Sequence, residues 1–162
     1  MTEYTSPVPV PAVDAVAPEV HRGVYGMPMF VTVPTGDLAA SADFWIRGLG
    51  FVDLFSLPGG LTHLRRWAFQ DVLLVPGESA ADVPAVSVSF ACVLGQLDGI
   101  AARCEELLPG CTGGPEEKPW NSVELTVVTP ERARVVMTAG KPLDPHGPVA
   151  DRMREMGIAV PD

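Results

Sequence analysis

The run Val33-Pro34-Thr35-Gly36-Asp37-Leu38-Ala39-Ala40-Ser41-Ala42-Asp43-Phe44-Trp45-Ile46-Arg47-Gly48-Leu49-Gly50-Phe51 passes from strand to helix and back to strand, with each boundary chemically marked. The strand-forming residues Phe30, Val31, Thr32 and Val33 lead into it. Pro34, which has no N–H to give a ladder, is expected to stop that strand. Asp37 is placed to accept from the free N–H groups of a helix start. Leu38, Ala42, Trp45 and Leu49 then recur at i, i+4, i+7 and i+11, the apolar face of a helix. Gly50 suits a left-handed cap, and Phe51 resumes an extended apolar pattern.

Outward from this run the chain repeats itself. Phe51 to Leu57 reads as a strand, Pro58-Gly59-Gly60 as a turn, and Thr62 to Phe69 as a second strand. Its alternation puts His63, Arg65, Trp67 and Phe69 on one face. Gln70-Asp71 turns the chain, and Val72 to Val75 is a third, aliphatic strand. After a small-residue linker, Ala85 to Val93 starts the pattern again as a strand. Leu97, Ile100, Ala101, Cys104 and Leu108 form a helical stripe closed by Gly110. Cys111 to Lys118 has room for a short edge strand, and Ser122 to Val128 and Arg134 to Thr138 read as the last two strands. Strand, helix and two or three strands occur twice, a repeat of about 50 residues that points to duplication.

This divides the chain into an extended or disordered arm over 1–26, a paired domain over 27–139 (modules 27–77 and 84–139) and a Pro-rich tail over 140–162. Prolines 7, 9, 11 and 18 disfavour helix and inner strand in the arm. In the tail, Val149, Met153 and Met156 suggest a short amphipathic helix. The expected fold class is α+β.

The 162 residues carry a formal net charge of −9, which repels a phosphate backbone and argues against nucleic acid as a partner. Cys92, Cys104 and Cys111 lack CxxC spacing; Cys92 and Cys104 fall in apolar patterns that read as core thiols. No basic-then-apolar leader and no apolar run of about 20 residues is present, so a cytoplasmic protein without a membrane partner is expected.

The doubled βαβββ pattern, with Asp-Leu-Ala-Ala-Ser-x-x-Phe-Trp-x-x-x-Leu-Gly-Phe over Asp37 to Phe51, resembles the vicinal oxygen chelate superfamily and, within it, the glyoxalase/bleomycin-resistance group. Pro119-Trp120-Asn121-Ser122-Val123-Glu124-Leu125 and Val128-Thr129-Pro130-Glu131-Arg132 look like that group's Pro-Trp-Gly-x-x-Glu strand entry and Asp-Pro-x-Gly turn. The departures are Asn121 for Gly, Thr129 for Asp and Arg132 for Gly. The resemblance implies two modules curling into a cup of mixed sheet, commonly completed in a homodimer. It also implies that enzymes of the superfamily hold a divalent metal on His, Glu and Gln from the first and last strands of the modules.

A metal held there needs lone-pair donors from those four strands facing one point. Pro28 to Val33 offers no His, Glu or Asp, and Val72 to Val75 is aliphatic. Ala85 to Val93 offers Ser87, Ser89 and Cys92, and Arg134 to Thr138 is Arg-Val-Val-Met-Thr. No metal and no other cofactor is expected. Glu124 reads as a structural hydrogen-bonding group.

Without metal the cup is an apolar pocket with a few polar groups, the ordinary form of a small-molecule site. Its expected walls are Phe30, Phe55, Trp67, Phe90, Trp120 and Met137, with His63 and Arg65 orienting the ligand. Aromatic walls suit a flat ligand, at about 0.5–1.5 kcal/mol per ring pair beyond area burial. The leading expectation is a metal-free protein that sequesters an aromatic or polycyclic antibiotic-like natural product and so confers self-resistance. An alternative is a metal-independent cyclase or isomerase in which His63 is the acid/base group. Others are a metal-dependent glyoxalase- or dioxygenase-like enzyme, and an accessory protein whose cup is plugged by its own arm or tail.

Overall fold

The computed structural model describes residues 10–23, 30–82, 87–157 and 160. The expected strand residues Pro28, Met29, Ala85 and Val86 lie outside them.

The chain forms β1 (Phe30–Thr35), α1 (Leu38–Arg47), β2 (Val52–Leu57), β3 (Leu61–Arg66) and β4 (Gln70–Pro76). The same order follows as β5 (Ser87–Ala91), α2 (Leu97–Leu107), β6 (Glu116–Lys118), β7 (Ser122–Val128) and β8 (Arg134–Gly140). A final helix, α3, spans Pro148–Glu155. The strands make two four-stranded mixed sheets, ordered β1-β4-β3-β2 and β5-β8-β7-β6. In each, the first strand runs parallel to the fourth and the remaining pairs are antiparallel. Two βαβββ modules are therefore present.

Local chemistry sets these boundaries. The Asp37 carboxylate accepts from Ala40 N at 2.9 Å and starts α1. α1 is capped by Gly48 in right-handed conformation rather than by Gly50 as expected; Gly50 and Gly110, each at φ +79°, lie two residues past the caps, in the turns that leave the two helices. Pro34 does not stop β1, which runs on to Thr35. Among the described residues β1 is an edge strand paired only with β4, so an imino acid facing outward costs it no ladder bond.

The second strand is shorter than its alternation suggests. β3 ends at Arg66 because Trp67 and Phe69 take φ of +54° and +59° in a tight turn. Asp71 is not in that turn but in β4, paired across the ladder with Arg65.

One core serves both modules. Val33, Leu64, Val72 and Leu74 of the first sheet join Phe90, Leu125, Val135 and Met137 of the second, with α1 and α2 packed against them. Trp45, wholly buried on α1, meets Phe51 edge-on at 5.1 Å and Phe90 at 6.3 Å. Polar struts cross between the modules. Glu131 accepts from Trp45 Nε1 at 2.6 Å and from Ser41 Oγ at 2.9 Å. Arg66 reaches Ala91 O and Gln96 Oε1, and Arg103 Nε donates to Arg47 O. The three cysteines are free and buried, Cys92 and Cys104 among them as expected.

The arm is not loose over its described part. His21 N donates to Trp67 O at 2.8 Å, and Arg65 Nη1 donates to His21 O and Gly23 O at 2.9 and 2.6 Å. At its other end Val10 lies against Gly140, the last residue of β8.

Candidate functional site

Each sheet turns one face to the helices and the other, its open face, away from them, and the pleat assigns residues to each by parity. In the first sheet the core takes Val31, Val33, Leu64, Val72 and Leu74. The open face therefore carries Phe30 and Thr32 of β1, Asp71, Leu73 and Val75 of β4, and Leu61, His63 and Arg65 of β3. A bulge between Asp53 and Phe55 resets β2, so that Phe55 pairs with His63 and Leu57 with Leu61 on that same face.

The second sheet's open face is chemically different. With Val88, Phe90, Val135, Met137, Leu125 and Val127 turned to the core, it presents Ser87, Ser89, Thr126, Thr138, Glu124 and Arg134, with Ala91, Val128 and Val136 among them. The first face carries aromatic residues around a histidine; the second carries more hydroxyl groups.

His63 is the centre of the first face. Phe30 meets its ring edge-on, with centroids 5.1 Å apart. Its Nε2 is buried 3.5 Å from Asp71 Oδ1 and makes no hydrogen bond among the described residues. Asp71 is held instead by Arg65, Nε to Oδ1 at 2.6 Å and Nη2 to Oδ2 at 3.1 Å. Phe30, Phe55 and Leu57 remain 40%, 53% and 49% exposed, so this face offers uncovered apolar surface around an imidazole.

Of the eight residues expected to bind ligand, the structure brings Phe30, Phe55 and His63 together, with Arg65 beside them. Arg65 is buried and engaged by Asp71 and the arm, which gives it a structural task. Phe90 and Met137 do not line an open face. They occupy core positions of β5 and β8, and Phe90 stacks edge-on with Phe51 at 5.2 Å. Trp67 leaves the strand pattern with its turn and lies under the Arg66 guanidinium, 4.2 Å from the ring centroid. Burial lowers the Arg66 pKa to about 10, which leaves it cationic at neutral pH. Trp120 lies in the turn between β6 and β7 of the second module, where its Nε1 donates to Glu124 Oε1 at 2.8 Å; Ser122 Oγ donates to the same oxygen at 3.1 Å. Glu124 thus accepts two hydrogen bonds, but from a half-buried position rather than a buried one.

The structure resembles several solved ones over most of their length. Lactoylglutathione lyase from Agrobacterium tumefaciens is 21% identical with TM-score 0.54, over 72% of this chain and 96% of that one. The bleomycin resistance determinant of transposon Tn5 is 19% identical with TM-score 0.53, over 72% and 99%. The fosfomycin resistance protein FosX from Listeria monocytogenes, in complex with Mn(II), is 12% identical with TM-score 0.61, over 83% and 99%. This is the vicinal oxygen chelate fold. No protein-family model matches the sequence, and no curated protein does.

The fold raises the question of a metal, and the donor set answers it. Where β1, β4, β5 and β8 show their open faces, the donors are Thr32, Asp71, Ser87, Ser89 and Thr138. β4 is not wholly aliphatic, since Asp71 begins its open face, but both carboxylate oxygens are taken by Arg65. Among the described residues no three His, Cys, Asp or Glu side chains converge. Hydroxyls with one engaged carboxylate do not fit a divalent cation that needs several anionic or imidazole ligands. Among those residues, too, no helix is long and apolar enough to cross a membrane.

Sequence reasoning missed three buried charges. Asp71 was hidden as a turn residue, although its six-residue spacing from Arg65 across a short hairpin is a signal for a cross-strand pair. Glu131 bonds partners 86 and 90 residues away, and Arg66 bonds one 30 residues away; no local pattern carries such links.

Proposed function

We propose that this protein is a metal-free small-molecule binder that takes a flat aromatic natural product on the first sheet's open face and so sequesters it. The observation that carries the reading is the exposed pair Phe30 and Phe55 flanking His63, on a face that also carries Leu57, Leu61, Leu73 and Val75 beside the Arg65–Asp71 pair. Flat rings gain from offset or edge contacts with such side chains. His63 supplies one polar anchor for a carbonyl or phenolate, the sparse polar complement usual in ligand pockets. The same exposure supports a homodimer, in which a second copy covers each open face. The bleomycin and fosfomycin resistance proteins among the similar structures support antibiotic-like ligands as the class to test.

Native mass spectrometry of the purified chain, with elemental analysis and a panel of polycyclic aromatic natural products, tests this. The expected result is a metal-free dimer that retains one aromatic compound per chain and releases it unchanged. Prompt conversion of the compound would instead support the second reading, acid/base catalysis by His63, which its unbonded Nε2 beside Asp71 favours. Turnover that survives His63→Ala would dispose of that second reading.

A further inference from the structure

We propose that the seam between the two sheets is a binding site for a small apolar carboxylate, separate from the face that carries Phe30 and Phe55. Among the described residues β1 pairs only with β4 and β5 only with β8, so each is the edge of its sheet and no ladder joins them. Residues of both strands line a cleft of about 250 Å³. Its walls are apolar, with Val33 and Pro34 from β1, Val88 from β5 and Ala133 from the turn before β8.

Two cations line the same cleft. Arg132 and Arg134 are adjacent on that turn and strand, and neither guanidinium has a hydrogen-bonding or ion-pair partner among the described residues. In a chain with 20 acidic and 11 basic side chains, two neighbouring cations without a carboxylate are an unusual arrangement. Glu131, in the same wall, is no partner for them, because Trp45 and Ser41 occupy its two oxygens. An apolar slot with unpaired guanidinium groups matches a molecule with an apolar body and one anionic head, held by charge-assisted bonds.

Volume limits the body. An apolar cavity of about 150 Å³ accepts benzene. The seam, at about 250 Å³, accommodates a single ring with a short carboxylate-bearing arm, or an aliphatic acid of similar size, but not a polycycle. The two sites therefore select different ligands, and the seam does not depend on the reading given above for the open face.

Benzoate is the probe. Titrated into the isotope-labelled full chain, it is expected to give saturable amide shifts at Val33, Val88 and Ala133. Benzyl alcohol, with the same ring and no charge, should bind at least fivefold more weakly. The variant Arg132→Gly, Arg134→Gln should weaken benzoate by at least fivefold while remaining folded, since φ at residue 132 is +70° and suits glycine. Shifts confined to Phe30, Phe55 and His63, the absence of saturable shifts, or unchanged affinity in the double variant would each overturn the proposal. Polycycle binding measured alongside reports on the open face alone.

Discussion

Arg65 and Asp71 face each other across the β3–β4 ladder and close a bidentate pair, at 2.6 and 3.1 Å, with almost no solvent access to either side chain. The same guanidinium holds the arm through His21 O and Gly23 O. Removing one partner strands the other as a buried charge, at about 3–5 kcal/mol. Asp71→Ala is expected to lower the unfolding free energy in urea by that amount. Asp43→Ala, at the exposed Arg47–Asp43 pair, should change it by less than about 1 kcal/mol. Equal effects would contradict the assignment.

Replacing both charges separates fold stability from arm docking. Arg65→Met with Asp71→Leu leaves no orphaned charge and should be close to neutral for global stability. It also deletes both bonds to the arm. Trypsin cleavage after Arg22 should then accelerate about tenfold while the urea midpoint stays near wild type. An arm equally resistant in the double variant would show that other contacts hold it.

Glu131 is the buried hub between the modules, accepting from Trp45 and Ser41. Glu131→Ala leaves a buried indole N–H unsatisfied and is expected to cost about 2–3 kcal/mol. For a chain of this size that is a fall in Tm of roughly 5–10 °C. Glu131→Gln keeps an acceptor for Trp45 and should lose about half as much.

The positive φ values at Asn121 and Arg132, +62° and +70°, fall where the family resemblance places glycine. Asparagine tolerates this conformation and arginine does not. Arg132→Gly should therefore stabilise the protein by about 1 kcal/mol in chemical denaturation, whereas Asn121→Gly should change it by a few tenths.

Burial pushes the Cys92 thiol up to about 11 and the Cys104 thiol to about 12. At pH 8 their thiolate fractions are on the order of 10⁻³ and 10⁻⁴, so a thiol-specific reagent should label neither until the chain unfolds. The unfolded thiols ionise near 9, so the unfolded state binds fewer protons between that pH and about 11–12. Stability from these groups is complete below about pH 9 and falls as pH rises through 11. A stability that rose over this interval would contradict the burial of these thiols.

The scaffold was legible because its signals are local. Asp37 marks the start of α1, Gly50 and Gly110 turn the chain just past the two helices, and Trp45 sits on the apolar stripe that becomes core. The open face was legible only where alternation held. It held for Phe30 and His63, but failed for Trp67, where a three-residue turn with two left-handed residues ends the pleat. Phe90 and Met137 went astray for another reason. Apolar strands covered on one face only give an aromatic or a methionine no mark of which side it takes, and the side followed from packing against α1 and α2.

The central claim is that the first sheet's open face binds a flat aromatic molecule without metal. Its most direct test is a titration of chelator-treated protein with a polycyclic aromatic natural product, wild type against Phe55→Ala. Phe55 is exposed, so its replacement leaves the core intact. The account predicts binding undiminished by the chelator, weakened about tenfold by the substitution, a loss of ~1.4 kcal/mol, and the compound recovered unchanged. Binding that disappears with the chelator, or that ignores Phe55→Ala, would contradict it.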